Sequence, residues 1–168
     1  GMSDLVMAAG VEKMNDGGDV TDVLASASDR ELEAYNGITF PGLYAMIARL
    51  HMDTYGTTEE DLAHVSVKNH NHGGKNPHAQ FPAKITVDAV LNSVMVADPL
   101  RILDCSPITD GAAALVLCAA DRARELTKQQ PVKIIGSGHG TDTIALHSRK
   151  DLAGLEAASR AAGVAYKA

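Results

Sequence analysis

The chain predicts an α/β fold with an inserted, largely helical region, and three observations carry that prediction. Its 168 residues are 45% hydrophobic but only 4% aromatic, with no Trp, so the core has to be built from Ala, Val, Leu, Ile and Met, as in packed α/β proteins. Short continuous apolar runs, the pattern of strands covered on both faces, alternate with helical patterns at the two ends of the chain. Between those ends, helix signals follow one another. The length fits one domain or a piece of a larger one.

Leu5 to Val11 is a Gly-punctuated apolar run and predicts a buried parallel strand, with nothing before it to pair with. From Asn15 to Phe40 the polar, Gly-rich "NDGGDVTD" and the acidic "DRELEAYNG" predict an irregular excursion. Pro41 then suits a first helical turn, and Leu43, Met46, Ile47 and Leu50 form one apolar stripe that should end at Gly56. Thr57 with Glu60 spells a capping box for a second helix, with Leu62, Ala63 and Val65 inward and its end close to Asn69. Thr86 caps a short helix over 87–91, and "VADPLRILDC" reads as extended. In the second half, "GAAALVLCAA" predicts a strand and "ADRARELTKQ" a helix stopped by Pro131. "VKIIGSGHG" predicts another buried strand. Asp151 starts a last helix with Leu152, Leu155, Ala158 and Ala162 on its inner side. No internal repeat and no low-complexity segment interrupts this order.

A net charge of -6 with scattered basic residues gives nucleic acid no electrostatic footprint. Cys105 and Cys118 fit neither a disulfide framework nor a paired CxxC ligand set, which points to a reducing, cytoplasmic setting. No signal peptide and no apolar run of about 18 residues marks a membrane protein. Gly1 before Met2 reads as a tag remnant.

"VKNHNHGGKNPHAQF" holds three histidines in a polar stretch that begins on a helix end and continues as a loop. His70, His72 and His78 could close on zinc only if that loop folded back, and no HExxH, Cys or carboxylate inside it supports the ligand set. "GSGHGTD" matches neither the dinucleotide nor the Walker pattern, so close packing at a strand end accounts for its glycines. Cys118 lies in an apolar run that would disfavour a thiolate, and Cys105 carries no activating motif. In "SPITDGAAA", Ser106, Pro107, Asp110 and Gly111 spell a turn whose serine hydroxyl can meet a ligand. By composition alone it reads as an ordinary turn before a core strand.

Four segments in this order resemble one family: "SDLVMAAGVEKM", "GITFPGLYAMIARLHMDTYGTTEEDLAHVSVKNHNHGGKNPHAQF", "VADPLRILDCSPITDGAAALVL" and "VKIIGSGHGTD". Together they resemble the thiolase superfamily, specifically its archaeal acetyl-CoA acetyltransferase and sterol-carrier-protein-x branch, over nearly the whole chain. The resemblance implies a partial thiolase-like layered fold, a mixed sheet with helices and an inserted loop domain. Its implied domains are the end of the N-terminal half over 1–14, the loop domain over 15–98, the last strand and helix of that half over 99–130, and the start of the C-terminal half over 131–168.

It also implies an acyltransferase of lipid metabolism, an acetyl-CoA C-acetyltransferase or 3-ketoacyl-CoA thiolase. A cysteine thiolate takes the acyl group from a thioester, a base removes a proton beside a carbonyl, and donors hold the enolate oxygen. The family's nucleophilic cysteine, its Gly-His-Pro histidine and its second cysteine match no residue here. His139, Cys105 and Cys118 are not their counterparts, so no catalytic residue is assigned and the chain is expected to be inactive alone. Ser106 matches the serine offered to the pantetheine arm of coenzyme A. Asn69, His70 and Asn76 match the loop-domain signature. Lys68 and Lys75 are candidates for coenzyme A phosphates or plain solvated lysines. Acyl-CoA is the expected ligand, with no metal. Expected partners are a second copy of the chain, since missing neighbour strands leave apolar sheet surface to cover, together with hydroxymethylglutaryl-CoA synthase and a zinc OB-fold protein. A split enzyme and a non-catalytic coenzyme A-binding scaffold are the alternative readings.

Overall fold

The computed structural model describes residues 3–168; Gly1 and Met2, including the position read as a tag remnant, lie outside the described residues. Two compact units emerge from the packing. The first comprises 3–20, 108–142 and 156–168, and the second comprises Thr21–Pro107 and Thr143–Leu155.

In the first unit the opening apolar run forms strand β1, Leu5–Glu12. Its partner is the later apolar run, which forms a strand over Gly111–Cys118 and pairs antiparallel, with Leu5 opposite Cys118 and Glu12 opposite Gly111. The prediction of a parallel, buried strand is thus corrected on two counts. The pairing is antiparallel, and Met7, Val11, Leu115 and Val116 remain exposed because no layer of the described residues covers the two-stranded ribbon. A short helix over Ala120–Leu126 follows, ending before Pro131. "VKIIGSGHG" is extended but pairs with no strand among the described residues, and Val132 is 95% exposed. Its glycines do approach another backbone closely. A Cβ at Gly136, Gly138 or Gly140 would overlap the carbonyl of Ala165, Ala161 or Ala157 on the last helix, Glu156–Ala165. That helix starts five residues later than its predicted Asp151. The Asp151 carboxylate instead accepts from the N–H groups of Ala153 and Gly154 in the preceding turn, and the helix turns Ala157, Ala161 and Ala165 inward in place of Ala158.

In the second unit, the predicted excursion contains helix α1, Val20–Ala25, and a 3-10 turn over Ala34–Asn36. Helix α2, Phe40–Tyr55, begins where Thr39 accepts from the Gly42 N–H and ends at Gly56, whose φ of 74° suits a residue without a Cβ. Leu43 and Ala45 are its buried residues, while Met46 and Leu50 of the predicted stripe stay exposed. Helix α3, Glu59–Gly73, is capped by Thr58 and Asp61 rather than Thr57 and Glu60. Thr57 Oγ1 lies instead 2.8 Å from His51 Nδ1, directed away from the helix start. The helix also runs four residues past Asn69, with Ala63 and Ser66 buried and Val65 exposed. Helix α4, Val87–Leu91, has Thr86 as its cap, as predicted. Strands β2, Met95–Ala97, and β3, Leu100–Arg101, form a tight hairpin that leads into a 3-10 turn over Ile102–Asp104, and the Gly111–Cys118 strand is β4. Helix α3 packs on α4 and on that turn. The core here is built from Leu43, Ala45, Ala63, Val90 and Ala145.

Within the second unit, segment Thr143–Leu155 contributes Ala145 to the core and is tied by a buried carboxylate. Glu33, 4% exposed, accepts from the N–H groups of Asp29, Leu146 and His147 and meets His147 Nδ1 at 3.1 Å. Burial alone would raise the Glu33 pKa, but these hydrogen bonds outweigh it and hold the carboxyl below its ordinary value.

Candidate functional site

Ser66, Asn69, His70 and Gly73 fall at i, i+3, i+4 and i+7 of α3, so they share one face where an apolar seam would be expected. The chain leaving the Ile102–Asp104 turn runs along that face. Between them lies an open groove of about 420 Å³, lined by those four residues, by Leu103 to Pro107, and by Gln80 and Phe81 of the loop after α3.

One carboxylate sets the geometry. Asp104 Oδ1 accepts from the buried Ser66 hydroxyl at 2.7 Å, and its Oδ2 accepts from the Arg101 N–H at 3.0 Å. The Arg101 guanidinium is tied down in turn, donating to the Ser93 carbonyl at 3.1 Å and to Glu59 at 3.2 Å. On the other side, His70 Nδ1 faces the Ala83 carbonyl at 3.3 Å. A carbonyl can only accept, so Nδ1 donates in this contact, an assignment made from the partner. The same contact fixes the loop after α3 against the helix end.

Of the residues singled out in the sequence, Asn69, His70 and Ser106 line this one groove, with Asn69 and Ser106 exposed. Asn76 does not. Its Oδ1 accepts from the His78 N–H at 3.0 Å and serves its own turn. Lys68 and Lys75 are exposed and outside the lining, which contains no Lys or Arg. Among the described residues, no group of three His, Cys, Asp or Glu is placed to hold a metal ion. Cys105 lines the groove, but burial pushes its thiol pKa up and the neighbouring Asp104 carboxylate adds to the rise, so the thiolate is disfavoured. Cys118 ends β4, half-buried. Gln80 and Phe81 end the quoted family stretch without an individual role, and Ser66 and Asp104 carry no motif of their own, although the polar spacing of Ser66, Asn69, His70 and Gly73 is there to be read.

A second hollow, about 380 Å³, lies over the β1–β4 ribbon and is lined by Ala9, Gly10, Val11 and residues 112–114. It offers no polar side chain and is simply the open face of the ribbon. Asp110, in the same unit, accepts from the N–H groups of Asn15 and Met14 at 3.0 and 2.8 Å, and these bonds lower its pKa.

Comparison with known proteins agrees with the sequence signatures. The family described as "Thiolase, N-terminal domain" matches residues 1–121. The chain is 58% identical over 167 residues to an acetyl-CoA acetyltransferase of Methanothermobacter thermautotrophicus, covering 99% of this chain and 43% of that protein. A protein of the same description from Methanocaldococcus jannaschii is 51% identical over 168 residues, with the same coverage. Sterol carrier protein 2 of Gallus gallus is 34% identical, over 99% of this chain and 33% of that protein. Among solved structures, the Ltp2-ChsH2(DUF35) aldolase superposes with a TM-score of 0.73 at 28% identity, covering 93% of this chain and 42% of the matched one. The chain belongs to the thiolase family. It spans less than half the length of these relatives.

Proposed function

We propose that this stretch of chain supplies the coenzyme A-binding surface of a thiolase-class acyltransferase, an acetyl-CoA C-acetyltransferase or 3-ketoacyl-CoA thiolase. The observation that carries the reading is the groove between α3 and the segment 103–107. It combines neutral polar side chains, Asn69, Gln80 and Ser106, with the apolar faces of Phe81, Leu103 and Pro107, and it contains no Lys or Arg. A ligand of alternating amides and methylenes fits that lining, whereas a phosphate would find no positive charge there. The pantetheine arm of coenzyme A is such a ligand. The description of the two archaeal relatives as acetyl-CoA acetyltransferases supports an acyl-CoA as the molecule bound.

Within the groove Ser106 offers its hydroxyl to an amide of the arm, and Asn69 and His70 supply further polar contacts. Asn76 shapes the loop turn. Neither Cys105, with its raised pKa, nor Cys118, on a strand, acts as the nucleophile, so the acyl-carrying thiol belongs elsewhere in the working enzyme. The stretch therefore binds without catalysing by itself, as part of a longer or a split enzyme. A cytoplasmic, dimeric enzyme of lipid metabolism is the accompanying expectation. The structural likeness to an aldolase whose description includes a DUF35 component supports assembly with a partner protein; a zinc OB-fold protein and hydroxymethylglutaryl-CoA synthase are the candidates the family resemblance offers.

Isothermal titration with coenzyme A and acetyl-CoA tests the reading. Wild-type protein should bind both, and Ser106→Ala should weaken binding by about two- to tenfold, the worth of one neutral hydrogen bond. Equal affinity in the variant would remove Ser106 from the site, and no binding by folded wild-type protein would refute the reading.

A further inference from the structure

The groove's ligand-facing residues stand on two separate pieces of chain. Asn69 and His70 stand on α3, and Ser106 stands on the segment after the Ile102–Asp104 turn. Their spacing depends on whatever joins those pieces. Asp104 is the joint, because each of its two carboxylate oxygens is committed to a different task. Oδ2 closes the turn on the Arg101 N–H at 3.0 Å, and Oδ1 takes the Ser66 hydroxyl at 2.7 Å, linking positions 38 residues apart. Ser66 is 8% exposed and Asp104 is half-buried, so water has limited access to the bond. Ser66 also lies one helical turn before His70 and on the same face, and Asp104 lies two residues before Ser106. The tether therefore stands in the same groove wall as the residues whose separation it governs.

We propose that Ser66 and Asp104 are positioning residues that set the distance between the polar face of α3 and Ser106, and thereby the affinity for the pantetheine arm. This inference rests on the groove being the coenzyme A site. Both line the groove, and the role assigned to them is one exerted already in the ligand-free protein. Their contribution is to keep Ser106 in place before the ligand arrives, so that binding does not also have to order the segment. An apolar residue at position 66 would leave one Asp104 oxygen without its donor in a half-buried place and free the segment to move.

The test pairs Ser66→Ala with Ser66→Thr, which keeps the hydroxyl. Two readings are taken on the full chain: titration with pantetheine and coenzyme A, and the labelling rate of Cys105 by a neutral thiol reagent without ligand, followed by mass spectrometry of the modified peptide. Cys105 sits between Asp104 and Ser106, so its accessibility reports the segment directly. Ser66→Ala leaves the Asp104 charge in place, and a change in labelling therefore reflects motion. We expect Ser66→Ala to label several-fold faster and to bind pantetheine about two- to tenfold more weakly, with Ser66→Thr close to wild type on both. Wild-type affinity in Ser66→Ala, or an unchanged labelling rate, overturns the inference while leaving the groove reading intact. Wild-type protein that binds neither ligand overturns both, and the labelling rates then describe a tether without that role.

Discussion

The two units are built from the same alphabet of small and branched apolar residues, yet they use it differently. In the second, Leu43, Ala45, Ala63, Val90 and Ala145 are buried, and the buried polar residues Ser28, Glu33 and Ser66 all belong to it. Each of those three is hydrogen-bonded. In the first unit, Ala123 is the one buried apolar residue among those described, while Met7, Val11, Leu115, Val132 and Ile135 face outward. The difference teaches that a helical insertion can cover its own core through caps and side-chain bridges. A two-stranded ribbon cannot, because each of its faces needs another layer. What order the first unit has comes from backbone proximity, with glycines laid on a helix.

The sharpest way to break this contrast is Gly138→Ala. Its new methyl would meet the Ala161 carbonyl, so roughly 1–3 kcal/mol of stability should be lost from overpacking. Hydrogen exchange should speed up in the helix Glu156–Ala165 and stay unchanged in α2 and α3. Exchange that rises equally in both units would show that they do not respond separately.

Glu33→Ala applies the matching pressure to the second unit. It leaves the N–H groups of Leu146 and His147 without their acceptor and should cost roughly 1–3 kcal/mol. The pH dependence follows from the lowered pKa. The folded value lies below the ordinary 4.5, so the contribution of Glu33 is complete above about pH 4.5 and is lost as the pH falls through the folded value. Protease cleavage within 143–155 should therefore rise on acidification in wild type. In Glu33→Ala it should already be high at neutral pH. A wild-type segment indifferent to acid would remove the carboxylate as its anchor.

A smaller effect separates two adjacent threonines. Thr58→Ala should lose about 1 kcal/mol with its cap, whereas Thr57→Ala should lose less. The reverse order in urea unfolding would return the capping box to Thr57 and Glu60.

That last pair also shows how far the sequence could be read. "TTEED" contains two overlapping cap patterns; Thr58 and Asp61 form the box, while Thr57 is paired with His51, a residue outside the window. Where the signal was local and unique, as at Thr86 before Val87–Leu91 or Gly56 after α2, the element was legible to the residue. Strand burial was not legible, because "LVMAAGV" and "VKIIG" specify apolar faces without specifying what covers them. At the groove, Asn69, His70 and Ser106 came from family signatures. Ser66 and Asp104 did not, since their importance arises from a contact across 38 residues that no short motif encodes.

Gly136, Gly138 and Gly140 oppose Ala165, Ala161 and Ala157, the glycines ascending as the alanines descend. This is a meeting of two rulers with unlike graduations. Two residues of extended chain advance about 6.6 Å, and four residues of helix advance about 6.0 Å. The marks nearly coincide over three pairs and drift apart by about 0.6 Å at each step. A fourth Gly–Ala pair would fall close to 2 Å out of line with the first, so the length of this contact is limited by arithmetic before it is limited by sequence.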